Sequence, residues 1–338
     1  MKILVTADFS DEWLARLRAH GEVVYEPWSQ TGVLWMAEEL AERVTREEID
    51  ALVVEVDLVH EEVFEARPLT AVGCCRSDPL NVDADAATEA GVPVVFAPGR
   101  NAASVADLAV AFMLDLARGI TPLHMRLRAG ELDPDDVGAL ISDLGAARGF
   151  ELGSATVGLL GLGAVGAMTA ARLRGFGCTI VAHDPHVAPQ TFAKLDVERV
   201  SLDALFARSD ILSLHCAVTG ETRGIVSADR IATMKRGAFL INTARHQLLE
   251  EAAVLDALRS GQLGGAGVDV FRVEPPLKDD PFLRLDNVVC TPHIGGATRD
   301  VVVRQSALVG GDLERIFRGE APLHCVNPDS LKTFRSLA

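Results

Sequence analysis

Three glycines, Gly161, Gly163 and Gly166, follow the apolar run Thr156–Leu160 and open an alanine-rich stretch. That context gives the Gly-x-Gly-x-x-Gly spacing its chemical meaning: a strand, a tight turn, then a helix N-terminus. Gly161 permits the turn, Gly163 lets backbone approach a pyrophosphate, and Gly166 lets the helix lie close to the strand. Ala164 and Val165, the first helical residues, offer unsatisfied N–H groups and the positive end of the helix dipole to phosphate. The next apolar run, residues 178–183, ends at Asp184. An acid about twenty residues beyond the glycines hydrogen-bonds the adenosine ribose hydroxyls of NAD and repels the extra phosphate of NADP. The spacing therefore predicts NAD; the bland alternative is that Asp184 merely starts the turn before Pro185. His183 and His186 read as solvent-facing loop histidines rather than a metal pair.

These residues need elements to hold them. Residues 2–6, 51–56, 69–75 and 92–97 are β-rich or apolar runs, alternating with helical segments, and Ser10 offers an N-cap followed by Asp11 and Glu12. Strands alternating with helices predict a parallel sheet with helices on its faces. Residues 101–118 form a long apolar helix, too hydrophobic for a surface position and expected to cross between lobes or pack in an interface. Residues 129–149, rich in Gly, Asp and Ala, read as an irregular excursion. A second βα series runs from 155 to about 296, and helix returns over residues 297–317.

Length and composition bound the function. The chain has 338 residues, enough for two domains, with 49% hydrophobic and 24% charged residues, as in folded globular proteins. A formal charge of −16 argues against nucleic acid as a partner, since phosphate binding needs a cationic surplus. No apolar run is long enough for a membrane span, and the N-terminus turns acidic too soon for a secretory signal, so a cytoplasmic protein is expected. The six cysteines show no CxxC pair and no zinc-type spacing, so neither disulfides nor a metal site are expected.

Three further stretches give the chain a resemblance to the D-isomer-specific 2-hydroxyacid dehydrogenase family, which includes phosphoglycerate dehydrogenases and glyoxylate/hydroxypyruvate reductases. They are residues 234–245, ending Asn242-Thr243-Ala244-Arg245; residues 267–276, Gly-Val-Asp-Val-Phe-Arg-Val-Glu-Pro-Pro; and residues 291–298, Thr-Pro-His-Ile-Gly-Gly-Ala-Thr. Asn81-Val82-Asp83 and Pro98-Gly99-Arg100-Asn101 match in order and spacing too, so the resemblance spans residues 50–328. It implies an α/β fold of two doubly wound parallel-sheet domains. These are a central Rossmann NAD domain, residues 101–296, and a split flavodoxin-like substrate domain, residues 1–100 and 297–338. It also implies a homodimer acting on a small 2-oxo or 2-hydroxy acid.

The roles the resemblance implies make chemical sense. Reducing a 2-oxo acid by hydride creates an alkoxide that needs a proton, and His293 is the matching acid. Glu274 would hold its tautomer, and Arg245 would offer a planar fork to the substrate carboxylate. Asp269 is placed against the nicotinamide carboxamide, and His215, Cys216 and Thr243 along the cofactor groove, mainly through backbone.

Departures from the family pattern carry the substrate question. Where many members have glycines before Asn-Val-Asp, this chain has Cys74-Cys75-Arg76-Ser77-Asp78-Pro79-Leu80-Asn81. Backbone N–H groups at Ser77 and Asp78 would still hold an anion. Arg76, with Arg100 beside Asn101 in the other loop, would bind a second anionic group. The expected substrate is therefore doubly anionic: 3-phosphoglycerate with phosphohydroxypyruvate, or a phosphonopyruvate-like acid. The plainer reading pairs Arg76 with Asp78. His246-Gln247 replaces the usual Gly-Gly or Gly-Glu and would line the cleft or face solvent. The alternatives are a glyoxylate/hydroxypyruvate reductase, a phosphite-type NAD enzyme, or a non-catalytic NAD-sensing regulator. The chain ends soon after Asn327-Pro328, so a serine-responsive regulatory domain is not expected.

Overall fold

A computed structural model of the chain describes residues 1–131, 137–146 and 149–334. It divides into two compact units, Met1–Asn101 with Thr298–Ala338, and Ala102–Ala297.

The first unit holds β1 (Lys2–Val5), β2 (Glu22–Tyr25), β3 (Ala51–Val54), β4 (Ala71–Cys74) and β5 (Val94–Phe96), in the order β2-β1-β3-β4-β5. Every pair is parallel, which is the flavodoxin-like arrangement. Successive side chains on a strand point to opposite faces. Leu4, Leu52, Val54 and Val72 accordingly join one core with Leu40 and Val44 of the helix Ala37–Arg46. Ile3, Val5, Ala51 and Val53 join another with Leu14 and Leu17, and with Val309 and Leu313 of the helix Arg299–Phe317. A sheet covered on both faces explains why these strands read as unbroken apolar runs. Ser10 occupies the N-cap of the helix Asp11–Arg18, but its side chain makes no capping bond. Its backbone N–H instead donates to Ser306 Oγ at 2.9 Å.

The second unit holds β6 (Thr156–Leu160), β7 (Thr179–His183), β8 (Glu198–Arg199), β9 (Ile211–Leu214), β10 (Ala238–Asn242), β11 (Leu263–Val268) and β12 (Val288–Cys290). Their order is β12-β11-β10-β9-β6-β7-β8, all parallel. The chain winds outward from β6 to β8 and then returns to lay β9 on the other side of β6. That reversal is a topological switch point, where α/β sheets open a crevice for ligands.

The long apolar helix, Ala102–Arg118, packs within its own unit. Ala109, Phe112 and Met113 are buried in one core with Val157, Leu159 and Ile241 of its own unit. One expectation is corrected here: the excursion at 129–149 is more regular than its composition suggests, because helices span Ile120–Ala129 and Val137–Ala146. Gly138 and Gly145 hid a helical repeat, which propensity alone undervalues. The acidic cluster Asp133–Asp136 lies outside the described residues. No described helix is long and apolar enough to cross a membrane. All six cysteines are free thiols.

Candidate active site

The glycine turn sits at the switch point. Gly161 leaves β6 with φ +97°, a conformation that side-chain-bearing residues rarely adopt. A Cβ there would lie 2.7 Å from Cys216 N and 2.8 Å from His215 O, so the turn closes directly on the exit of β9. A Cβ on Gly166 would collide with Gly161 O, whereas one on Gly163 would meet nothing within 4 Å. The motif thus leaves open space at its middle glycine and none at its outer two. Gly163 is the N-cap of the helix Ala164–Leu173, and no side chain caps that end. The donors of Ala164 and Val165 therefore remain for an incoming anion.

Asp184 is fixed to this turn. Its Oδ2 accepts from Leu162 N at 2.8 Å and its Oδ1 from His186 N at 2.9 Å. His186 is exposed as expected, but His183 is half-buried in β7 and its Nδ1 donates to Val200 O at 3.0 Å. Burial explains that difference, since the ring needs a backbone partner once it leaves water.

His215 and Thr243 carry a signal that the sequence did not. Burial pushes the His215 imidazole down to about 4, which keeps it neutral at pH 7. Its Nε2 lies 3.0 Å from Ser213 Oγ, while Nδ1 is buried with no partner. Thr243 Oγ1 is likewise buried and unpartnered. Cys216 between them is half-buried, and burial raises its thiol to about 11. Buried polar atoms are nearly always hydrogen-bonded, so two orphans on neighbouring strand exits mark where a polar ligand completes the site. The uncapped helix, the open space at Gly163, the fixed Asp184 carboxylate and these two atoms fit a dinucleotide such as NAD.

The second cluster forms on the exits of β10, β11 and β12. His293 lies three residues beyond β12 and holds φ +57°, a strained value for a non-glycine. Asp269, just past β11 and 1% exposed, holds that turn from beneath. Its Oδ1 accepts from Thr291 Oγ1 at 2.6 Å and Ile294 N at 2.8 Å, and its Oδ2 from Gly295 N at 2.9 Å. The resemblance assigned Asp269 to the nicotinamide. Its oxygens are engaged mostly by its own chain, and one lone-pair site is left on Oδ2.

From the side, Glu274 Oε2 lies 2.5 Å from His293 Nδ1, and Glu274 Oε1 accepts from Phe271 N at 3.0 Å. A carboxylate on Nδ1 fixes the tautomer with the proton there. His293 Nε2 is left without a partner among the described residues, on a side chain 44% exposed.

Arg245 follows β10 and is exposed. Asn242 fixes the bend: its Nδ2 donates to Arg245 O at 3.0 Å and its Oδ1 accepts from Ala244 N at 3.1 Å. Asn242 was not singled out in the sequence, although a fully buried amide ending an apolar strand is the signal for such a role. One Arg245 nitrogen, Nη1, donates to Ala244 O at 2.7 Å, and the rest of the fork has no partner among the described residues. His246 is caught by Glu251, Nε2 to Oε2 at 2.6 Å, while Gln247 is exposed.

In the first unit, Arg76 is half-buried and its guanidinium has no partner among the described residues, so the pairing with Asp78 does not occur. Arg100 does not join it. Its Nη1 donates to Glu55 Oε1 at 2.7 Å and also to Gln305 Oε1. Glu55 and Gln305 are far from Arg100 in the chain, which is why the sequence did not disclose the pairing. Ser77 Oγ lies 3.4 Å from Asn101 Oδ1, and Asp78 is exposed.

Residues 110–295 match the family model described as D-isomer specific 2-hydroxyacid dehydrogenase, NAD binding domain. The chain is 35% identical to the putative 2-hydroxyacid dehydrogenase YoaD of Bacillus subtilis (strain 168), over 98% of this chain and 96% of that one. It is 34% identical to the D-3-phosphoglycerate dehydrogenase of Methanocaldococcus jannaschii over 97% of its own length, and spans 59% of that protein. The solved structure of the TT0316 protein from Thermus thermophilus superposes with a TM-score of 0.82 at 33% identity, covering 96% of this chain and 100% of that one.

Proposed function

The chain belongs to the D-isomer specific 2-hydroxyacid dehydrogenases and takes NAD, and from that premise we propose that it interconverts a doubly anionic 2-oxo acid and its D-2-hydroxy acid. Phosphohydroxypyruvate with 3-phosphoglycerate, or a phosphonopyruvate-like acid, has the required charge. The observation that carries the reaction is the His293–Glu274 pair at 2.5 Å. With Nδ1 committed to Glu274, Nε2 is the atom that delivers a proton to the substrate oxygen in reduction and removes it in oxidation. Glu274 favours the charged ring that oxidation leaves behind. The cofactor would supply the hydride as NADH in reduction and accept it as NAD in oxidation. Arg245 presents its free guanidinium edge to the substrate carboxylate, a planar match that lysine lacks.

The second anionic group rests on Arg76, a half-buried cation with no acid of its own. Arg100, spent on Glu55, supports the loop instead. The test is a panel of 3-phosphohydroxypyruvate, phosphonopyruvate, hydroxypyruvate, glyoxylate and a branched 2-oxo acid with NADH, run on the native chain and on Arg76→Ala. The expected result is a loss of kcat/KM on the dianions larger than on the monoanions by about tenfold. Equal losses would remove the substrate assignment, and no turnover of any acid would favour an NAD-sensing regulator.

A cytoplasmic homodimer is part of the same proposal. Its supports are the free thiols, which suit a reducing compartment, and exposed apolar residues on the helices Ile120–Ala129 and Val137–Ala146: Ile120, Met125, Leu127, Val137 and Ile141. Sedimentation at micromolar concentration tests the dimer.

A further inference from the structure

The turns that follow β9, β10 and β11 also border an open concavity of about 470 Å³, lined by Arg223, Gly224, His246, Gln247, Leu249, Glu250 and Arg272. Backbone bonds tie its walls together: Gly224 N donates to Gln247 O at 2.9 Å and Val226 N to Leu248 O at 3.0 Å. None of the reaction's residues lies in it. His246 directly follows Arg245, however, and Arg272 stands two residues before Glu274.

The charges around the pocket are unequally partnered. His246 is held by Glu251 at 2.6 Å, and Glu250 Oε2 accepts from Ala228 N at 3.0 Å. Glu251 is thus engaged by the ring, while Glu250 lines the pocket itself with one oxygen held by backbone. Arg223 and Arg272 have no ion pair or side-chain hydrogen bond among the described residues, in a chain with 48 acidic residues against 32 basic ones. Both guanidiniums are exposed and hydrated, but two of them without an acid at one concavity offer an anion charge-assisted hydrogen bonds that water does not match.

We propose that this pocket is an accessory anion site, taking a small free polyanion from solution: inorganic phosphate, a phosphorylated metabolite or a polycarboxylate. Two guanidinium forks match the spread oxygens of a dianion better than a single carboxylate. An occupant held between Arg223 and Arg272 would brace, from outside, the two loops that carry Arg245 and Glu274.

The experiment is calorimetric titration of inorganic phosphate into the full chain saturated with NADH, which occupies the glycine turn. Arg223→Gln and Arg272→Gln should each weaken phosphate by about tenfold or more, while Arg223→Lys recovers part of the loss. Arg76→Ala should leave intact the phosphate binding that the two Gln substitutions weaken, even if it removes a separate, weaker event at the substrate's site. Circular dichroism checks that the variants fold, which is expected of substitutions at two exposed positions. Phosphate binding unaffected by both Gln substitutions, or absent from the native chain, would overturn the proposal. Loss of that same binding event in Arg76→Ala would place the anion at the substrate's site and overturn it equally. The readout is binding rather than turnover, so the result stands apart from the dehydrogenase assignment.

Discussion

Replacing Asp269 with Asn tests whether the His293 turn is held from below. The carboxylate receives three donors, from Thr291, Ile294 and Gly295, at 2.6, 2.8 and 2.9 Å, in a position 1% exposed. An amide of the same size has one oxygen. With that oxygen toward Thr291 and Ile294, the NH2 group faces the Gly295 N–H, donor against donor. The flipped amide loses two bonds and is worse. The better orientation forfeits one hydrogen bond to a charged group and weakens the other two, at a cost of about 2–4 kcal/mol. The left-handed backbone of His293 stores about 1–3 kcal/mol of strain that the same bonds must hold. Support and strain are therefore comparable, and the turn should relax and carry His293 away from Glu274.

The expected outcome is a thermal midpoint lower by on the order of 10 °C for the NAD-binding unit. kcat should fall about ten- to a hundredfold, a share of what a positioned general acid contributes. Stopped-flow reduction and NADH fluorescence titration read kcat and cofactor affinity separately. The Kd for NADH should change by less than about threefold, because the glycine turn leaves β6 rather than β11. An unchanged midpoint and an unchanged kcat would refute the support argument. A large loss of NADH affinity with the midpoint intact would return Asp269 to the nicotinamide.

His293→Asn should lower kcat by about 10²–10⁴ while NADH binding, read by fluorescence, survives. Asp184→Ala should cut the kcat/KM preference for NAD over NADP by about tenfold, with a lesser loss of NAD affinity as Leu162 N loses its acceptor. His215 makes stability depend on pH. Its folded value of about 4 lies below the unfolded 6.5, so above pH 6.5 both states are neutral and the group has no effect. Between pH 6.5 and 4 only the unfolded chain takes up the proton, and stability falls by about 3 kcal/mol in total before levelling. Urea midpoints of the native chain and His215→Gln at pH 7 and pH 5 should therefore converge at the lower pH, and parallel displacement would refute the assignment.

What the sequence disclosed follows from the range of each interaction. The glycine turn and Asp184 were legible because strand, turn and helix N-terminus are local, and the acid's distance is set by one βα unit. His293, Glu274 and Arg245 were legible through their motifs. The backing of those residues was not. Asp269 reaches Thr291, Ile294 and Gly295 across more than twenty positions, and nothing local distinguishes an acid facing a ligand from one facing its own chain. Arg100 shows the limit most clearly, since its partners Glu55 and Gln305 lie 45 and 205 residues away. The helix Ala102–Arg118 shows another limit. Composition reports how much of a helix is buried, but not which neighbour buries it.

The order of the proposed catalytic residues follows from the sheet. In a parallel array every strand releases its chain at the same edge, and neighbours β10, β11 and β12 release Arg245, then Asp269 with Glu274, then His293. Register aligns those exits, with Asn242 beside Val268 and Val268 beside Cys290. The glycine turn and His215 leave β6 and β9, the next two strands along. The residues proposed for cofactor, carboxylate clamp and acid are thus ranked along one edge before any side chain chooses a rotamer. A one-residue slip of β12 would reverse the faces of its side chains and shift the start of the His293 turn by about 3.3 Å. No flexibility in Glu274 restores a 2.5 Å bond across that gap while its Oε1 stays on Phe271 N. Asp269 therefore does more than steady a loop. Its three bonds fix where the chain leaving β12 begins its turn, and they convert strand register into the position of one imidazole nitrogen.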